Sequence, residues 1–233
     1  MSGQDSYAYV SYARNLHRFY VESSELDQFY WPRFYPFLGS LFNQDIIRHE
    51  WVLQFISLFS LIGSGFVLGR IAQLKFDAGR KTQVVIMLFF IFTPYTLRQG
   101  LLTMSDSLNV FLILLSIYYL FKYEKKTNLR EGLLIFFFIG LAVNTRFVSI
   151  VFLLPIGGYF LWMLYKRKEL SKLWLTLPSL ILIGLHYFLN HLSPELKIIR
   201  FPWYGDMSFL NLFKSEFETA NGMQQYSMVN GLY

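Results

Sequence analysis

The chain has 233 residues, 54% of them hydrophobic and 20% aromatic, with only 15% charged and a net charge of +6. A soluble globular domain carries about a quarter charged residues, so the shortfall, together with long apolar runs, predicts an integral membrane protein. Cysteine is absent, which excludes disulfides, thiolate metal sites and cysteine nucleophiles; the basic residues fall in short connections rather than in one patch, which argues against a nucleic-acid partner.

In chain order, residues 5–20 place Tyr9, Tyr12, Ala13 and Leu16 at helical spacing, with Arg14 and Arg18 elsewhere on the wheel. That pattern predicts an amphipathic helix lying on the bilayer surface. "FYWPRFYPF", residues 29–37, has two prolines among aromatics and reads as a rigid turn at headgroup level. Apolar runs follow near 51–69, 83–101, 107–122, 132–145, 147–165 and 173–190. A crossing needs roughly 20 residues, and the run from Gly132 to Tyr165 is too long for one, so "NTR" at 144–146 predicts a break between two helices. The expected architecture is an all-α, polytopic transmembrane bundle of about six spans. Residues 1–50 form an outer loop with interfacial helices, 51–190 the bundle, and 191–233 a second outer loop.

Charge sets the orientation. The connections after the first, third and fifth runs each hold four basic residues: Arg70, Lys75, Arg80 and Lys81; Lys122, Lys125, Lys126 and Arg130; Lys166, Arg167, Lys168 and Lys172. The connections between them hold Arg98 and Arg146 alone. The positive-inside rule puts the three rich connections in the cytoplasm. Asp5, Arg33, Arg98, Asp106 and Arg146 then share the opposite, non-cytoplasmic side. Ionisable groups at span ends rather than mid-span favour a site at the outer interface over a transporter.

Each of these residues has two readings. Asp106, in "SDS" before an apolar run, is either a helix cap or one acid of a site at the water–lipid border. Asp5 alone reads as a solvated acid. Arg33 either snorkels and stacks on neighbouring rings or binds phosphate with its guanidinium fork. Arg146 is an interfacial anchor or a phosphate ligand, since an unpaired buried arginine is costly. "GSGFVLG", 63–69, lacks the strand and spacing of a nucleotide loop, and Gly65 and Gly69 read instead as a helix-packing face. His17, His49, His186 and His191 show no ligand spacing, so no metal site is expected.

Taken together, "GQDSYAYVSYARNL", "PRFYPFLGSLF", "SDSLNVFLILLSIYYLF" and "GLAVNTRFVSIVFLLP" resemble, in order and spacing, the polytopic glycosyltransferases of the GT-C superfamily. The nearest branch is that of the dolichyl-phosphate-mannose protein mannosyltransferases and lipid A aminoarabinose transferases. The resemblance runs from about residue 4 to 165, with an extension through "NGMQQYSMVNGLY". It implies sugar transfer from a polyprenyl-phosphate-linked donor, without metal or cofactor, to a lipid, glycan or protein acceptor at the non-cytoplasmic face. It implies Asp5 as the catalytic carboxylate of the first outer loop and Asp106 as a second acid. Arg33 lies in the stretch where the family carries a basic residue near the carrier phosphate, and Arg146 follows "GLA" as in this branch. Tyr35, beside Arg33, joins both arginines as a candidate substrate- and phosphate-binding residue. Family members have a span before the first acid and more spans after the last outer loop, so the chain reads as a fragment. A non-catalytic scaffold or lipid-binding derivative of the same fold is the alternative.

Overall fold

The computed structural model describes residues 4–24, 29, 31–42, 46–192, 216–219 and 222–225. The chain divides into two compact units, Met1–Leu189 and Asn190–Tyr233. The described part of the first unit is helical: α1 (Gln4–Glu22), α2 (Phe34–Ser40), α3 (His49–Phe76), α4 (Arg80–Phe92), α5 (Pro94–Leu101), α6 (Asp106–Lys126), α7 (Leu129–Thr145), α8 (Ile150–Lys166) and α9 (Leu177–Leu192), the last running past its boundary. In the second unit, β1 (Glu216–Thr219) and β2 (Gly222–Gln225) pair antiparallel, Glu216 opposite Gln225 and Thr219 opposite Gly222. The helical membrane architecture expected from the apolar runs is what the first unit has, and the hairpin is an addition the apolar pattern did not signal.

All six apolar runs are helical. Among the described residues, His49–Phe76 and Phe147–Lys166 are each long and apolar enough to cross a membrane, and α4 with α5 makes a third if counted as one span. The 28 residues of α3 extend about 42 Å, more than the roughly 30 Å hydrocarbon core. Its outer face exposes Phe55, Phe59, Ile62 and Phe66, and α8 exposes Val151, Leu154, Leu161 and Trp162. Apolar surface on this scale belongs against lipid rather than water.

Three local features differ from the sequence expectation. The run 83–101 is bent by 66° between α4 and α5. Pro94 starts α5, and Thr93 before it is held at ψ 127, out of the helical region; proline disfavours the helical conformation in the residue it follows and donates no backbone hydrogen bond. "FYPFLGS" is the helix α2 rather than a turn, because Pro36 falls in its first turn, where backbone N–H groups have no helical acceptor. The apolar face of α1 is covered by protein: Tyr9, Tyr12, Ala13 and Leu16 are all buried, and α1 packs on α2 and α3. The expected break at "NTR" is present. The helix α7 ends at Thr145, Arg146 is extended (φ −149, ψ 127), and a 3-10 turn, Phe147–Ser149, leads into α8.

The core is built on α6, packed between α3 and α7. Leu53, Leu108, Leu112, Ile135, Ile139 and Phe160 fill it, and Phe160 meets Phe136 edge-on at 4.9 Å between ring centres. The glycine face of α3 brings α4 close. A Cβ at Gly65 would lie 3.0 Å from Ile91, and one at Gly69 3.1 Å from the Gln83 carbonyl.

Candidate functional site

Helix polarity gathers the sequence-selected residues at one end of the first unit. The beginnings of α3 and α6 and the ends of α5 and α7 meet there: Gln54 Nε2 donates to the Leu101 carbonyl at 3.1 Å, and Ser57 Oγ lies 2.9 Å from the Met104 carbonyl. Asp106 opens α6, with Ser105 in the capping position. A carboxylate in the first turn is favoured by the partial positive charge of the helix N-terminus. Its closer partner is Arg146, whose guanidinium donates to Asp106 Oδ1 across the gap between α6 and the end of α7. The two side chains are 25% and 32% exposed, so the pair lies where a ligand can reach it.

A second contact runs beside the first. Ser149 Oγ donates to Asn109 Oδ1 at 2.5 Å, both residues being buried. Asn109 is three residues beyond Asp106 and Ser149 three beyond Arg146, so the two contacts form successive rungs between the same segments. The extended backbone at Arg146 and the 3-10 turn that follows present both side chains to α6.

The helices α1 and α2 pack against this end. Tyr9 Oη and Ser105 Oγ are hydrogen-bonded at 2.9 Å in a buried contact. The Tyr9 ring stands edge-on to Tyr35, 5.2 Å between centres at 84°. Tyr35 is fully buried. Its hydroxyl lies 2.9 Å from the Leu53 carbonyl and 2.7 Å from Ser57 Oγ. With the Ser57–Met104 contact, two hydroxyl protons serve three close contacts that tie α2 to α3 and to the connection before α6. Burial pushes the Tyr35 phenol above its ordinary pKa, so it stays protonated. In this conformation Tyr35 braces α2 against α3. Arg33 precedes α2, with its guanidinium carbon 6.0 Å from the centre of the Tyr12 ring.

The candidates therefore fall into three groups. Asp106 and Arg146 are in direct contact. Arg33 and Tyr35 reach the same end through aromatic contacts to Tyr12 and Tyr9 on α1. Asp5 lies in the first turn of α1, four residues before Tyr9, and its side chain lies outside the described residues. Tyr9, Ser105, Asn109 and Ser149 were not selected from the sequence. The matched spacing of Asn109 and Ser149 is a signal only once the Asp106–Arg146 pair is known. Among the described residues no group of three His, Asp or Glu side chains is placed to hold a metal ion.

The profile of the family described as dolichyl-phosphate-mannose-protein mannosyltransferase matches residues 32–193, more than two thirds of the chain. The match spans α2 to α9 and takes in Asp106, Arg146, Asn109 and Ser149. No curated protein and no solved structure matches the chain.

Proposed function

The chain belongs to the dolichyl-phosphate-mannose-protein mannosyltransferase family, and on that premise we propose that it transfers a sugar from a polyprenyl-phosphate-linked donor to an acceptor hydroxyl at the non-cytoplasmic face of a membrane it crosses several times. Family membership makes it a membrane glycosyltransferase by descent. Donor, face and residue roles are our reading, and the acceptor is a lipid, a glycan or a protein.

Transfer requires a base for the acceptor proton and positive charge for the departing lipid phosphate. The acceptor oxygen attacks the anomeric carbon, the bond from that carbon to the phosphate oxygen breaks, and the phosphate leaves with the electron pair. The Asp5 carboxylate takes the acceptor proton. Arg146 and Arg33 stabilise the leaving phosphate, for which planar guanidinium groups are well shaped. Asp106 holds Arg146 at the entrance of α6, so the donor meets a fixed cation. Residues 1–50 and 191–233 lie on the non-cytoplasmic side in this reading, and 51–190 form the membrane bundle.

The observation that carries the proposal is the Asp106–Arg146 pair, reachable from solvent, at the end of the helices opposite the lysine-rich connections. The same pair supports the alternative of a non-catalytic lipid-binding derivative, because each charge already satisfies the other. An Asp5→Asn change in the full-length protein separates the two. Loss of a general base is expected to lower transfer from dolichyl-phosphate mannose by about 10²–10⁴-fold. Wild-type turnover in the variant removes Asp5 from catalysis, and binding of the donor by wild type without any transfer establishes the alternative.

A further inference from the structure

Ser105 occupies the capping position of α6, yet its side chain makes no capping hydrogen bond. A serine there ordinarily accepts from a backbone N–H of the first turn. Here the hydroxyl is bonded to Tyr9 Oη instead, across 96 positions of sequence. Both partners are buried, Tyr9 at 4% and Ser105 at 1% exposure. The Tyr9 ring is held between Tyr35 and Phe29, both edge-on to it. Its hydroxyl is therefore fixed in place by packing, and it fixes Ser105 in turn.

The two ends of this bond adjoin the two acids. Ser105 directly precedes Asp106, and Tyr9 is one helical turn beyond Asp5 on α1. We propose that the Tyr9–Ser105 hydrogen bond is the strut that sets the position of α1, with Asp5, relative to the Asp106–Arg146 pair, so that Tyr9 and Ser105 are positioning residues for sugar transfer. The inference rests on the transferase reading above. The neighbouring rung, Asn109 with Ser149, fixes the other side of the same pair by holding the turn after Arg146. Asp106 is thus constrained from α1 through Ser105 and from α7 through Arg146.

A base and a phosphate ligand carried on different helices are useful only at the correct separation. A displacement near 1 Å can cost on the order of 100-fold in rate. Removing the strut should therefore slow the chemical step more than it weakens binding of the donor, whose phosphate is held by arginines left intact. A merely structural hydroxyl lowers stability without that signature.

The test is a double-mutant cycle in the full-length protein, with dolichyl-phosphate mannose as donor and release of the lipid phosphate as readout. Tyr9→Phe and Ser105→Ala are each expected to lower kcat by about 10- to 100-fold, with KM for the donor within about twofold. The double variant should be no slower than the slower single variant, as expected for two halves of one contact. Ser116→Ala is the control. It removes another fully buried hydroxyl of α6, one bonded to the Ile135 carbonyl at 2.9 Å. It should lower the melting temperature and leave kcat unchanged. Additive losses in the cycle, equal losses in kcat and in donor affinity, or a Ser116→Ala variant as slow as Tyr9→Phe would each overturn the strut while leaving the transferase reading intact. A wild-type protein that releases no lipid phosphate would overturn the transferase reading, and the strut's role in catalysis with it.

Discussion

The two ends of the helical unit manage charge in opposite ways. At the lysine-rich end, Lys75 pairs with Glu124 at 2.6 Å, Lys122 with Glu131 at 3.0 Å and Lys172 with Glu169 at 2.8 Å. Tyr159 Oη also donates to Glu124 at 2.8 Å. Twelve lysines and arginines in these connections face four acids, Asp77, Glu124, Glu131 and Glu169, so most of the positive charge stays in excess. At the other end, Asp106 and Arg146 balance one another, and neutral side chains from Tyr9, Ser105, Asn109 and Ser149 surround them. Surplus charge needs no exact geometry and is suited to fixing orientation against a membrane. Balanced charge set among buried hydrogen bonds orients particular groups, as a reaction requires.

The contrast breaks most completely if both ends face the same side. Because the chain has no cysteine, Thr103→Cys and Lys125→Cys each introduce a single thiol, one per end. An impermeant thiol reagent should label Thr103→Cys only from the non-cytoplasmic side and Lys125→Cys only from the cytoplasmic side. Labelling of both variants from one side of intact cells would overturn the orientation assigned to the bundle.

The next largest effect is expected at Arg146. Arg146→Ala removes the cation proposed to face the donor phosphate and leaves Asp106 without its partner. Loss of one preorganised charge-stabilising donor costs roughly 10²–10³-fold in rate, and transfer should fall by about that factor. Arg146→Lys keeps the charge without the planar fork and should fall between wild type and Arg146→Ala. Steady-state transfer rates with donor in excess check the order. If Arg146→Ala transfers sugar as wild type does, the pair is a structural anchor and the contrast between the ends reduces to topology.

Much of the helical architecture was legible because each apolar run is bounded by charge or by a breaker. "NTR" marked the extended residue at Arg146, where a polar trio interrupts apolar sequence. Pro94 gave an equally plain signal inside the run 83–101, and a reading by hydropathy alone passed over the bend there. The helix α2 was harder, because prolines look like breakers until Pro36 is placed in the first turn. Individual candidates for the site were legible as charges at span ends. Their partners were not: the Asp106–Arg146 contact joins residues 40 apart and Tyr9–Ser105 residues 96 apart. Such pairs follow from the packing of α1, α6 and α7, which a single sequence does not encode in any local pattern. Tyr35 shows the converse, since the burial of a tyrosine beside a candidate phosphate ligand follows only once α2 is helical and its hydroxyl reaches Leu53 and Ser57.

The smallest effect, and the sharpest test of the contrast, is expected at Glu124. Its carboxylate accepts from Lys75 and Tyr159, and its backbone carbonyl accepts from Arg167 Nη2. Glu124→Gln keeps a side-chain carbonyl acceptor and the backbone contact, and loses the charge opposite Lys75. The side chains of that ion pair are each about a third exposed, so solvent screens it, and such a pair contributes about 1 kcal/mol or less. The melting temperature should drop by about 2–4 °C, the range expected for a loss of that size in a chain of this length. The difference from wild type should shrink at high salt, where exposed pairs are screened. Turnover with saturating donor should match wild type, because the change leaves the balanced end untouched. A Glu124→Gln variant with normal melting and severely reduced transfer would mean that the lysine-rich end takes part in the reaction, and the division of labour between the two ends would fail.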